Sequence, residues 1–150
     1  METVLTLTQD VYDDVLTHAL DGRPAEVCGV LGGDYDEERS HAVTAREVEN
    51  IAEMPRTTYR LDPAEQLEVM DDIEEESADI VGFYHSHPTG PPRPSPTDTA
   101  QATWSGYSYV IVSLSGEHPF VGSWRWTGER FEREVVGISS VHRRPERSRR

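Results

Sequence analysis

The sequence predicts a single α/β (α+β) domain in which about three helices pack beside β-strands. A length of 150 residues suits one hydrophobic core and is too short for two ordinary domains. Two stretches repeat apolar residues at helical spacing behind a capping residue, and several shorter stretches are apolar throughout or alternate in polarity, as strands do. We therefore predict a folded domain at residues 1–137, followed by an Arg-rich, disordered tail at residues 138–150.

The first helix is predicted at residues 9–20. Thr8 can serve as its N-cap, and Asp21-Gly22 is a suitable end. The apolar residues that share one of its faces are Val11, Val15, Leu16 and Ala19. After this helix, the apolar run at 27–32 predicts a buried strand, and the alternation at 42–48 predicts its neighbour, with a charged turn at 34–40 between them.

The second helix is predicted to begin behind Asp62 as N-cap, with Pro63 at the first helical position, and to end near Ser77. Its predicted inward stripe consists of Leu67, Met70 and Ile73.

A central strand is predicted at 79–84, and it delivers two histidines at its end. His85 and His87 then project to the same side, because strand side chains alternate. Residues 88–96 hold five prolines, which stiffen a loop, and Ser95-Pro96-Thr97-Asp98 opens a third short helix through about Trp104. Further strands are predicted at 107–114, 120–126 and 130–136, the last two joined by a hairpin turn at 127–129.

The charge balance is strongly acidic, with 28 Asp and Glu against 14 basic residues, all of which are Arg. Such a body repels nucleic-acid phosphate, which argues against a nucleic-acid binder. Excess acid without Lys is typical of proteins from salt-loving archaea. A single cysteine forms no internal disulfide, and no apolar run is long enough for a membrane span or resembles a signal peptide, so we expect a soluble cytoplasmic protein.

Three side chains form a candidate catalytic metal site. His85, His87 and Asp98 offer two imidazoles and one carboxylate, which leaves a fourth position on a zinc ion for water. Asp98 has a second interpretation as the acid of an N-terminal capping box, and both roles can hold together. A lone histidine is more often structural than a ligand, but two at this spacing before a rigid loop favour a metal site.

Two further polar residues have both a catalytic and a structural interpretation. Glu26 precedes an apolar strand, where an acid is ordinarily solvated, but near a metal it can serve as the base that takes a proton from water. Ser95 can be a helix cap or a donor to a developing oxyanion. Cys28 lies inside the apolar run and is expected to be a buried apolar residue rather than a nucleophile.

Taken together, Glu26, His85-Ser86-His87-Pro88 and, after seven residues, Ser95-x-x-Asp98 resemble the JAMM (MPN+) metalloprotease signature at every position. The resemblance spans about residues 3–136. It implies an MPN-type fold, with a central mixed, curved β-sheet flanked by about three helices in cytidine-deaminase-like layers. It further implies one zinc ion bound by His85, His87 and Asp98, with Glu26 as general acid/base and Ser95 steadying the oxyanion.

The same resemblance implies an isopeptidase. Together with the acidic composition, it points to an archaeal, desampylase-like enzyme that removes small ubiquitin-like modifiers (SAMP-type) from lysines of target proteins, acting as a monomer. Linear fusions are further candidate substrates. Trimming of a sulfur-carrier protein to expose its C-terminal Gly-Gly is an alternative that shares the scissile acyl group. A non-catalytic scaffold or a DNA-repair-associated relative would be a different class, which the complete residue set and the net charge disfavour.

Overall fold

Seven strands of a mixed β-sheet and three helices make up residues 2–140, the part of the chain that this computed structural model describes. The strands are β1 (Val4–Thr8), β2 (Cys28–Asp34), β3 (Arg39–Val48), β4 (Asp79–His87), β5 (Ser108–Ser113), β6 (Phe120–Trp126) and β7 (Phe131–Ser139). The helices are α1 (Gln9–Gly22), α2 (Pro63–Glu75) and α3 (Pro96–Gln101). The predicted class, one domain with a mixed sheet and three helices, is confirmed.

The sheet closes on itself in the order β1-β3-β2-β4-β5-β6-β7, and β7 pairs in parallel with β1. The sequence interpretation did not predict β1, and it treated Thr8 only as a helix cap. Thr8 does both: it ends β1, and its hydroxyl accepts a hydrogen bond from the Val11 amide at 3.1 Å. Closure therefore depends on a five-residue strand that passes directly into α1.

Several predicted boundaries shift by a few residues. α1 continues through Gly22, two residues beyond the predicted end at residue 20, and stops before Pro24, which lacks the amide that would extend it. β2 continues to Asp34 and β3 begins at Arg39, so the charged turn between them is shorter than predicted. β7 ends at Ser139. α3 ends at Gln101 rather than near Trp104, because the Trp104 amide donates to the Tyr109 hydroxyl at 3.0 Å instead of to a helix carbonyl.

The predicted inward stripe of α2 is wrong at Leu67, which is 62% exposed. Ile73 is fully buried, and Val69 and Met70 pack partly against the same core cluster. At about 100° per residue, Leu67 lies roughly 120° around the helix axis from Ile73. Val69 and Met70 lie within about 60° of Ile73 and therefore on the same face of the helix. The buried stripe is therefore narrower than the sequence pattern indicated.

A buried polar cluster ties β5, β6 and β7 together beside the apolar core. The Glu134 carboxylate has no exposed side-chain surface and accepts from the hydroxyls of Thr3, Ser108 and Ser123 at 2.6–2.7 Å. The Arg125 guanidinium completes the set with an Nε–Oε1 distance of 2.9 Å. Every oxygen of this buried carboxylate is paired, as burial of a charge requires.

Of the predicted disordered tail at 138–150, residues 138 and 139 belong instead to β7, and residues 141–150 lie outside the described residues. Between residues 2 and 140, the helices lack the length and apolar character that crossing a bilayer demands.

Candidate metal centre

The end of β4 positions the two histidines of the candidate site. His85 and His87 lie on the same face of the strand and are 2% and 3% exposed. The backbone around them is held on both sides, since the Ser86 amide donates to the Val27 carbonyl at 3.0 Å and the Leu114 amide donates to the His87 carbonyl at 3.0 Å. These bonds fix the backbone positions from which the two imidazoles project.

The first turn of α3 brings Asp98 to the same point. The Ser95 hydroxyl accepts from the Asp98 amide at 3.0 Å, and the Asp98 carboxylate accepts from the Ser95 amide at 2.9 Å. This is the reciprocal capping box that the sequence indicated. The same Oδ2 atom also lies 3.1 Å from the Nε2 atoms of both histidines, so capping and convergence on the histidines occur together.

Three donor atoms thus form a nearly equilateral triangle. The two His–Asp edges are 3.1 Å and the edge between His85 Nε2 and His87 Nε2 is 3.2 Å. Zinc bonds of about 2.0–2.1 Å at tetrahedral angles place ligand atoms about 3.3–3.4 Å apart. The triangle matches one face of such a tetrahedron to within a few tenths of an ångström, so the donor set fits zinc.

Hydrogen bonds and stacking fix the ring orientations. His87 Nδ1 lies 2.7 Å from the Pro91 carbonyl oxygen, which makes Nδ1 the protonated nitrogen and leaves the Nε2 lone pair for a metal. The Tyr59 ring stacks on His85 with centroids 4.1 Å apart. Tyr59 lies in a loop without a periodic pattern, so no local signal predicts this contact.

The electrostatics favour an ionised carboxylate between the rings. Burial opposes the charge on Asp98, but hydrogen bonds with His85 and His87 outweigh it and hold its pKa well below the usual range. Burial lowers the pKa of His85, while the bonds of His87 to Asp98 and Pro91 overcome burial and raise its pKa. The shifts favour a neutral His85 and an ionised Asp98, while the pKa of His87 is raised by the same carboxylate that a bound cation would share.

Glu26 lies on the remaining side of the site. A carboxylate oxygen of Glu26 falls within 4.8 Å of the candidate ligand nitrogens of His85 and His87, and the residue is 6% exposed. Its Oε1 has no hydrogen-bond partner among the described residues, although it is buried. Burial raises the pKa of Glu26 to about 7, with His87 opposing and Asp98 adding to the shift. A poised, unpaired carboxylate of this kind is typical of a general base.

Two residues outside the sequence prediction hold Glu26 in place. The Ser86 hydroxyl, between the two histidines, accepts from the Val27 amide at 2.8 Å. The Asn50 side chain donates to the Glu26 carbonyl at 2.9 Å. Both act on backbone groups distant in sequence, so no local pattern could have revealed them. Cys28 is fully buried, and burial raises its pKa to about 12, which suits an inert apolar residue.

Residues 8–127 match the family described as prokaryotic homologs of the JAB domain. The chain belongs to this JAB-domain family. The match covers most of the described fold and confirms the resemblance to JAMM proteases.

Individual relatives agree with this assignment. The chain is 44% identical over 139 residues to the desampylase of Haloferax volcanii, which covers 89% of this chain and 96% of the relative. It is 36% identical over 115 residues to the CysO-cysteine peptidase of Mycobacterium tuberculosis, with 77% of each chain covered. The solution structure of a Desulfitobacterium hafniense protein superposes with a TM-score of 0.83 at 30% identity, covering 91% of this chain and 94% of that one.

Proposed function

We propose that this JAB-domain protein is a zinc-dependent isopeptidase that hydrolyses the bond between the C-terminal glycine of a small ubiquitin-like archaeal modifier and a lysine of its target. The observation that carries the proposal is the triangle of His85, His87 and Asp98 with an unpaired, buried Glu26 beside it. Three ligands and one free carboxylate suit a hydrolytic metal site, whereas a structural zinc site has four protein ligands.

His85, His87 and Asp98 would hold the ion through the atoms that already converge. When bound, zinc lowers the pKa of water and polarises the scissile carbonyl. Glu26 takes the proton of the attacking water, which its raised pKa permits near neutral pH. It then returns that proton to the departing lysine amine, so one carboxylate acts first as base and then as acid.

Ser95 is proposed to assist at the oxygen that becomes negative. Its Oγ already accepts from the Asp98 amide, but the hydroxyl proton remains available for donation. Because the capping bond fixes Oγ on the first turn of α3, the donor is positioned before substrate arrives.

The modifier class rests on the relatives. The 44% identity to an enzyme named desampylase extends over 89% of this chain. Every residue of the proposed site lies within residues 8–127, the segment that matches the family. The acidic composition, which includes no Lys, supports activity at high salt. Action in the cytoplasm, as a monomer and without nucleic acid, remains a prediction from the sequence.

A second candidate is processing of a sulfur-carrier protein with a C-terminal Gly-Gly. The 36% identity to a CysO-cysteine peptidase supports this second candidate. Cleavage of a lysine conjugate and trimming of a carrier protein both act on the acyl group of a C-terminal glycine. The proposed site residues would serve either substrate without change.

The test compares two probes with one modifier: a conjugate linked to a lysine side chain and a linear fusion through the same glycine. Wild-type protein with zinc should cleave the lysine-linked conjugate, lose that activity with a chelator and regain it when zinc is restored. Cleavage of the linear fusion alone would favour the processing role. Chelator-resistant cleavage would refute the proposed mechanism.

A further inference from the structure

An acidic groove leads away from Glu26 across the surface between α1 and β3. Two adjoining cavities of about 370 and 500 Å³ share His18, Val27 and Glu47 in their walls. We define the acidic groove by its five carboxylate side chains besides Glu26, which are Asp14, Asp21, Glu47, Glu49 and Glu65. Among the residues that line these two cavities, none is Arg, and the sequence contains no Lys.

The acidity of this groove is a local property and not only a consequence of the acidic composition. A third cavity of about 460 Å³ borders the same site through Tyr59, which stacks on His85. Its walls contain Phe83, Trp104 and Tyr109, and include Arg60 but no Asp or Glu. The two sides of the metal centre therefore differ in charge. This difference suits a substrate that consists of two different parts, a modifier and its target.

The groove carries a negative potential that no internal cation relieves. His18 is its one basic side chain, with Nδ1 2.7 Å from the Tyr84 hydroxyl and Nε2 3.7 Å from a Glu47 carboxylate oxygen. Burial lowers its pKa against the opposing charges of Glu47 and Asp21, which favours the neutral imidazole. Burial, followed by the nearby charges of Asp10, Asp13 and Glu47, raises the pKa of Asp14. Acidic side chains are therefore crowded on this side of the groove.

The proposed chemistry identifies which half of the substrate meets this groove. Glu26 lines the groove and is only 6% exposed. Its Oε1 has no hydrogen-bond partner among the described residues. Because Glu26 delivers the proton to the departing amine, the lysine of the target must approach from the side of Glu26. The free amine becomes a cation on release, and residues next to that lysine in the target lie farther along the groove.

We infer that the acidic groove binds basic residues that flank the modified lysine, and so selects targets in which that lysine lies in an Arg- or Lys-rich segment. This inference rests on the proposed isopeptidase function. Complementary charge at an open groove acts mainly on association and binding, so the preference should appear in KM and weaken as salt is raised.

The experiment uses short target peptides in which one lysine side chain is joined to the C-terminal glycine of the same modifier as in the lysine-linked conjugate above. The lysine is flanked by Arg, by Ser or by Glu, and kcat/KM is measured for the zinc-loaded full chain at low and high salt. Exposed ion pairs contribute about 0.2–1 kcal/mol each, so a few together should give the Arg-flanked peptide roughly a 5-fold advantage over the Ser-flanked one.

Matched variants separate the groove from overall charge. The double variant Glu47→Gln/Glu49→Gln should reduce the advantage below about 2-fold, through KM. The control Glu68→Gln/Glu75→Gln removes the same charge from exposed positions on α2 outside the groove, and should leave the advantage at roughly 5-fold.

The outcomes are distinguishable. Equal cleavage of all three peptides by wild type, or equal loss in both double variants, would overturn the groove inference and leave the proposed function standing. If wild type cleaves none of the peptides, the proposed function fails. A preference that appears only after the five arginines at positions 143, 144, 147, 149 and 150 are replaced by Ser would assign the groove to the chain's own tail and overturn the inference.

Discussion

Replacing Glu26 by Gln should remove about 2 kcal/mol of the pH dependence in the stability of the metal-free protein. The Glu26 carboxyl is buried without a partner for Oε1, and burial raises its pKa from 4.5 to about 7. That shift corresponds to about 3 kcal/mol between the two protonation states. Since the site is open on one side, solvent screening reduces the expected effect to about 2 kcal/mol.

The sign follows from proton binding. Between pH 4.5 and about 7 the folded protein holds a proton on Glu26 that the unfolded chain has already released. The free energy of unfolding therefore falls as the pH rises through this window, and it levels off above the folded pKa. Gln carries no titrating proton, so the variant should lose about 2 kcal/mol less than wild type between about pH 5 and pH 8.

Urea denaturation of the chelator-treated protein at a series of pH values measures this difference. Glu68→Gln, which changes an exposed acid on α2, is the control and should follow wild type. With zinc present, Glu26→Gln should bind metal normally and lose about 10²–10⁴-fold in turnover. Parallel stability profiles for wild type and Glu26→Gln, or near-normal turnover of the variant, would refute the role given to this residue.

Three further substitutions test a proposed metal ligand, a residue that positions Glu26, and the buried polar cluster. His87→Ala should lose both bound zinc and cleavage, as measured by metal content and assay; one zinc per chain in this variant would contradict the ligand assignment. Ser86→Ala should retain zinc but cost about 1–2 kcal/mol in urea unfolding and lower kcat, because the Val27 amide loses its acceptor; unchanged kcat would count against a positioning role. Glu134→Gln should cost about 3 kcal/mol, since Arg125 keeps a buried charge without its counter-charge; a loss below about 1 kcal/mol would show that the cluster contributes little.

Local sequence signals predicted the features that depend on local geometry. The alternation of β4 placed His85 and His87 on one face, and the Ser95–Asp98 capping box fixed the start of α3. Thr8 and Asp62 cap α1 and α2 through the hydrogen bonds expected of N-caps. Each of these depends on residues within four positions of one another, which is the range over which pattern and propensity act.

What the sequence did not predict depends on contacts between distant segments. β1 is recognisable only by its pairing with β3 and β7, and the Tyr59 ring reaches His85 across the fold. Leu67 matched an apolar stripe but lies beyond the width of the surface that α2 buries. Tertiary packing decides these positions, so a single sequence carries no local signal for them.

Anomalous diffraction at the zinc edge, from a crystal of the zinc-loaded protein, would show directly whether the metal binds at this site. One peak should lie at about 2.0–2.2 Å from His85 Nε2, His87 Nε2 and Asp98 Oδ2, with the Glu26 carboxylate facing its open position. A peak bound elsewhere, or one with a fourth protein ligand closing that position, would contradict the assignment of a hydrolytic centre.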